Sequence, residues 1–169
     1  MHKRIVLAVA LATAFVSNLS LHAQSGEVKR TGDAKALFSS TITVGDTVYL
    51  SGIMAPVDTP ADAAKGTPAS YKGDTKAQAV AAIQAIQKSL QSVGLDLGDI
   101  VQMQAFLTGD PAKGGQMDVA GWNEAYKQFF GTAQQPNKPV RATVQVAALV
   151  VPTGRIEIMV IAARHGASK

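Results

Sequence analysis

The chain of 169 residues carries 16 Lys and Arg against 12 Asp and Glu, three His and no Cys. That length fits one domain, and the absence of cysteine excludes a disulfide framework, a thiolate nucleophile and a thiolate-held metal. The small positive charge is not clustered, which gives little support for nucleic-acid binding.

The first residues read as a targeting segment. Met1-His2-Lys3-Arg4 is basic, residues 5–16 are apolar, and Ala23 is a small residue before Gln24. This is the pattern of a secretory signal peptide, too short for a comfortable membrane span, with cleavage expected after Ala23 and a periplasmic or secreted product that has no membrane attachment. The expected division is a signal peptide over 1–23, a polar leader over 24–37 and a single domain over 38–165. Cleavage would remove Lys3 and Arg4, lowering the net charge to about +2, and would leave His165 as the sole histidine. A His-rich zinc site, a Ser-His-Asp triad and a pair of acid/base histidines are then excluded, so any chemistry must run on carboxylates, Arg, Lys, Tyr, Ser or Thr and backbone groups.

Two β-rich runs, 38–44 and 47–52, are split by Gly45-Asp46 and predict a hairpin. Residues 54–73 form a long loop with three prolines. Asp74 or Thr75 begins a helix, with Thr75 and Gln78 spaced as a capping box. Ala79, Ile83, Ile86, Leu90 and Val93 share its apolar stripe, and Gly94 ends it. A strand is expected over 99–107, in which Val101, Met103, Ala105 and Leu107 alternate with Ile100, Gln102, Gln104 and Phe106. Asp118 caps a second helix whose stripe is Val119, Trp122, Tyr126 and Phe129; the helical spacing of Trp122 and Tyr126 reads as core packing.

The last third holds two runs rich in β-branched residues, 139–149 and 155–162, around Pro152-Thr153-Gly154, and predicts a second hairpin. Both runs are apolar on both faces. In a small antiparallel sheet one face is normally wet, so helices would cover one face and another subunit the other. Arg141 and Glu157 stand out in this setting, because a charge in an apolar strand is costly unless paired or used. In a simple hairpin Glu157 would face Ala148, leaving Arg141 roughly 23 Å away at ~3.3 Å per residue. One hairpin cannot bring them together, so a site that uses both would draw them from different subunits. The resulting order, β-β-α-β-α-β-β, is that of an α+β two-layer sandwich.

Taken in order, Val48-Tyr49-Leu50-Ser51-Gly52, the helix ending at Gly94, Asp99-Ile100-Val101, Trp122-Asn123-Glu124-Ala125-Tyr126 with Phe129-Phe130, Pro139 to Ala147 and Ile156-Glu157-Ile158 resemble the RidA/YjgF family of reactive-intermediate deaminases. The similarity runs from about Phe38 to Ala163. The resemblance implies a chorismate-mutase-like α+β fold, a homotrimer with sites in the subunit clefts, and hydrolysis of 2-imino acids to 2-keto acids and ammonia. It further implies that Arg141 binds the substrate carboxylate, that Glu157 positions water, that Ser51, Gly52 and Phe38 line the pocket, and that backbone groups of Thr143 meet the imine. Three departures are visible: Phe38 stands where a tyrosine is usual, Ile53 where a glutamine is common, and the 54–73 and 109–117 loops are long.

The chemistry suits these side chains and needs no metal or cofactor. A guanidinium pairs bidentately with a carboxylate, and a carboxylate in an apolar cleft orients water and takes its proton. Two alternatives stand beside the deaminase: a non-catalytic trimeric module that binds small metabolites, and, more distantly, a ribonuclease, which the missing histidine pair and basic surface disfavour.

Overall fold

The computed structural model describes residues 27–164. The signal segment, its cleavage point and His165 lie outside the described residues. Six strands form one sheet: β1 (Val28–Thr31), β2 (Thr41–Val44), β3 (Thr47–Leu50), β4 (Ile100–Thr108), β5 (Val140–Val146) and β6 (Ile156–Ala163), in the spatial order β1-β2-β3-β6-β4-β5. Two helices, α1 (Thr75–Gln91) and α2 (Val119–Tyr126), complete a mixed α+β fold.

The first hairpin forms as expected. β2 and β3 pair antiparallel from Thr41↔Leu50 to Val44↔Thr47, and Gly45 takes a φ of +57° in the two-residue turn, a conformation that glycine adopts without strain. The stretch expected as a polar leader contains β1, which pairs with β2 at the sheet's edge. All four residues of β1 are exposed, so it has no buried face and shows no apolar alternation in the sequence.

The second hairpin does not form. β4 lies between β5 and β6, parallel to β5 through the α2 crossover and antiparallel to β6. Residues 147–155 therefore carry the chain across the end of β4, where Thr108 N–H donates to Arg155 O (3.1 Å) and Thr108 Oγ1 to Gly154 O (2.8 Å). Sequence proximity favoured the hairpin, but the apolar pattern of β5 and β6 fits a neighbour of either kind.

Helix α1 is capped by Asp74, whose carboxylate accepts from Ala77 N–H at 2.8 Å. The expected capping box is absent because Gln78 has turned inward. Fully buried, it donates to Gly73 O and Thr153 O and accepts from Arg155 N–H (3.2, 3.1 and 2.8 Å), tying the helix start to the 147–155 connection. Ala79, Ile83, Ile86 and Leu90 are buried as the stripe predicted, joined by Trp122 and Ala125 of α2 and by Val48, Met103, Leu107, Ile156, Ile158 and Val160 of the sheet. In β4 an irregularity between Ile100 and Gln102 shifts the phase, so Ile100 is buried and Val101 is exposed, the reverse of strict alternation.

Both helices cover the same face. The opposite face carries Tyr49, Gln104, Phe106, Met159 and Ile161 with no element over it among the described residues, and Tyr49 and Met159 remain 44% and 39% exposed. Among the described residues no helix is long and apolar enough to cross a membrane.

Candidate active site

The expected site residues fall into two groups within one chain. Arg141 and Thr143 lie on β5, an edge strand whose outward backbone groups have no strand partner in the sheet. Glu157, Ser51 and Gly52 gather around the start of β6 and the end of β3, and Phe38 lies on the preceding segment, lining a cleft with Arg30, Thr31 and Ser39.

Arg141 is held by α2. Its guanidinium lies 4.5 Å from the Tyr126 ring centroid and 5.2 Å from that of Trp122, and Nη2 donates to Asn123 Oδ1 at 2.8 Å. Tyr126 in turn stacks on Phe130 (4.7 Å between centroids). Thr143 Oγ1 accepts from Trp122 Nε1 at 3.1 Å, which fixes the indole against β5. The two aromatics expected as core thus have a second role: Trp122 is fully buried, and Tyr126, half-buried, presents its ring to the cation. Burial raises the Tyr126 hydroxyl above its usual pKa of 10, and Arg141 pulls in the opposite direction. No carboxylate among the described residues pairs with Arg141. A cleft of about 400 Å³ opens beside it, lined by Asn123, Tyr126, Lys127, Phe130, Lys138 and Arg141.

The second group is built on a bulge. β3 pairs with β6 as far as Tyr49↔Ile161, and pairing resumes at Ile53↔Ile158, so Leu50, Ser51 and Gly52 stand opposite Met159 and Val160. The extra residue bends this edge away from β6 and opens room at Gly52. Glu157 fills that room: its carboxylate lies against Gly52, where any Cβ would collide with it. Ile53, in the place where glutamine is common, makes the two backbone bonds to Ile158 (both 2.9 Å) that close the bulge. Ser51 Oγ donates to Ser39 O at 2.7 Å, which fastens the segment carrying Phe38. Phe38 itself is 68% exposed.

Tyr71, from the long 54–73 loop, belongs to this group and was not anticipated. Its N–H donates to Thr153 Oγ1 (2.8 Å) and its hydroxyl makes a long contact with Met54 Sδ (3.7 Å). Burial raises the hydroxyl above its usual pKa of 10, and the nearby Glu157 carboxylate raises it further, so Tyr71 stays a neutral donor at physiological pH. Asn123 was also missed. A polar residue on a helix next to a tryptophan carries no signal, although its spacing from Lys127 and Tyr126 places it over β5.

The two groups do not meet within the chain. Arg141 is opposite Met103 and Glu157 opposite Phe106, on strands that flank β4. Strand rise and spacing set them roughly 14 Å apart, and their side chains leave the sheet on different faces. Arg141 points to the helix face with Trp122, and Glu157 alternates with the buried Ile156 and Ile158.

The family model described as Endoribonuclease L-PSP matches residues 29–164. The chain belongs to this family, the RidA/YjgF family. It is 36% identical over 91 residues to the putative reactive intermediate deaminase TdcF of Escherichia coli strain K12, a stretch covering 54% of this chain and 64%, less than two thirds, of TdcF. It is 30% identical over 127 residues to a RutC family protein of Haemophilus influenzae, covering 75% and 86% of the two chains. The crystal structure of E. coli TdcF with bound serine superposes with a TM-score of 0.59 at 30% identity, covering 83% of this chain and 98% of that one.

Proposed function

We propose that this chain hydrolyses 2-imino acids of the 2-iminobutanoate and 2-iminopropanoate type to 2-keto acids and ammonia, in clefts between the subunits of a homotrimer. One observation carries this reading: a guanidinium held on an aromatic platform with no carboxylate partner among the described residues, and a carboxylate seated over a glycine, lie on opposite faces of one sheet, so that one ligand could meet both only between copies. The deaminase naming of TdcF and its serine-bound structure support it as a family-level precedent.

In the proposed reaction the Arg141 fork binds the substrate carboxylate, with Asn123 fixing its orientation. Glu157 of a neighbouring subunit takes a proton from water as the oxygen attacks the imine carbon. The carbon–nitrogen π electrons move onto nitrogen, which takes the proton that Glu157 has gained; Glu157 then accepts the carbinol O–H proton and passes it to the amine, which leaves as ammonia as the carbon–nitrogen bond breaks and the keto group forms. Backbone groups of Thr143 line the imine position, Ser51 and Gly52 the pocket wall, and Phe38 supplies an apolar edge without a hydroxyl. The imine carbon is already electrophilic, so positioning supplies much of the acceleration. The uncovered face with Tyr49, Phe106 and Met159 is the surface that trimer formation would bury.

A non-catalytic binding module is the second reading. It is favoured by Ser51, whose hydroxyl proton is committed to Ser39 O, so that the side chain can accept a hydrogen bond from a ligand but not donate one without breaking that bond. Ribonuclease action by paired histidines has no support, since none of the described residues is a histidine. The deciding assay supplies imines in situ with an amino-acid oxidase and follows keto-acid release. Acceleration over the protein-free rate that disappears in Arg141→Ala supports the enzyme; none across several amino acids leaves the binding module. An exported location is part of the proposal and is tested by sequencing the mature N-terminus, expected at Gln24.

A further inference from the structure

The cleft beside Arg141 holds more positive charge than one carboxylate needs. Asn123 and Lys127 follow each other at i, i+4 on α2, and Tyr126 and Phe130 form the adjacent row, stacked 17° from parallel. Lys138 reaches the same cleft across Gly131. There a φ of +72° and the missing Cβ leave the space that the Lys138 side chain occupies. Lys127, Lys138 and Arg141 thus line one cleft of about 400 Å³. None of the three has an ion-pair partner among the described residues. Glu124, the acidic side chain next along α2, is engaged by Lys76 at 2.8 Å.

Lys127 at the end of α2 has a plain structural role, opposing the negative end of the helix dipole. That role does not account for Lys138, which comes from the approach to β5 and is laid across Gly131 toward the same opening. Three like charges lining one cleft repel one another and concentrate a positive field there. A ligand with a second acidic group relieves that repulsion; a monocarboxylate leaves two ammonium groups without a partner.

We infer that the site takes 2-imino acids whose side chain ends in a second carboxylate, and binds the corresponding dicarboxylic 2-keto acids. Arg141 binds the carboxylate next to the imine, Lys127 and Lys138 bind the distal one, and the Tyr126 and Phe130 rings underlie the methylene chain between them. This rests on the deaminase reading of Arg141 and narrows its substrate class.

Calorimetric titration of the full-length protein with 2-oxoglutarate and with 2-oxobutanoate tests it, beside the oxidase-coupled assay on 2-iminobutanoate. Wild type is expected to bind 2-oxoglutarate about tenfold more tightly at low ionic strength, with the preference shrinking as salt is added. In the Lys127→Ala, Lys138→Ala double variant the ratio of the two affinities falls to about one. Both lysines are exposed, and circular dichroism verifies that the variant is folded. Equal affinities in wild type, or a preference that survives in the double variant, overturn the inference. If 2-iminobutanoate is nevertheless hydrolysed, the deaminase reading stands without it. If neither keto acid binds and no imine is hydrolysed, both fail.

Discussion

Arg141 and Glu157 sit on the two strands that flank β4, three β4 residues apart in register, and their side chains leave the sheet on opposite faces. No side-chain rotation brings them to one ligand, so the geometry of a single chain forces any joint use of the two to be intermolecular.

Gly52 is the position least tolerant of a side chain near Glu157. A methyl group there displaces the carboxylate from the bulge. Gly52→Ala is expected to lower kcat/KM for imine hydrolysis by about 100-fold, as for a catalytic group shifted by about 1 Å, with near-normal thermal stability. Activity within twofold of wild type would show that Glu157 need not sit over Gly52.

In the proposed reaction Asn123 acts on substrate through Arg141. With the Nη2 bond at 2.8 Å removed, the guanidinium still rests on Tyr126 and Trp122 but loses its fixed rotation. Asn123→Ala should raise KM about tenfold while kcat changes much less, in line with the loss of about 1.5 kcal/mol of carboxylate binding. A fall in kcat at unchanged KM would assign Asn123 a different role.

Gln78 is a stability position. Truncation leaves Gly73 O, Thr153 O and Arg155 N–H, whose bonds to the amide are part-buried, without their partner. Gln78→Ala should destabilise the fold by about 3 kcal/mol, which lowers Tm by roughly 6–12 °C. Scanning calorimetry reads this directly, and a shift under 2 °C would mean that water replaces the amide.

Acid stability should depend on Asp96. Burial alone would raise its carboxyl, but the Leu97 N–H and the Gln87 and Gln91 side-chain amides hold it below the ordinary value of 3.8. A lowered folded value means that this stabilisation is complete above about pH 3.8 and is lost as the pH falls through the folded value. Asp96→Asn should therefore unfold at lower urea than wild type at pH 7, with the gap closing below pH 4. A gap that is independent of pH would contradict this assignment.

Local patterns in the sequence carried much of the fold. The α1 stripe, the Gly45-Asp46 turn and the Asp118 cap each follow from a few neighbouring residues, and each forms. Pairing across distance did not follow. The choice between a β5-β6 hairpin and a β4 inserted between them depends on how the α2 crossover packs, and both arrangements present the same apolar runs. β1 was invisible because nothing in Val28–Thr31 is buried, and the β4 phase because one irregularity inverts the alternation. At the site, Arg141 and Glu157 stood out as charges in apolar strands, whereas Asn123 and Tyr71 gain meaning only from what α2 and the 54–73 loop place beside them.

The central claim is that Arg141 and Glu157 of different subunits share a site, and complementation tests it most directly. Arg141→Ala and Glu157→Gln chains, each inactive alone, are unfolded together at equal concentration and refolded. Random assembly into trimers pairs an intact Arg141 with a neighbour's intact Glu157 at about a quarter of the sites, so the mixture should recover about a quarter of wild-type imine hydrolysis. A mixture as inactive as its parents, in trimers verified by light scattering and shown by capture through an affinity tag on one variant to contain both chains, would contradict the shared site.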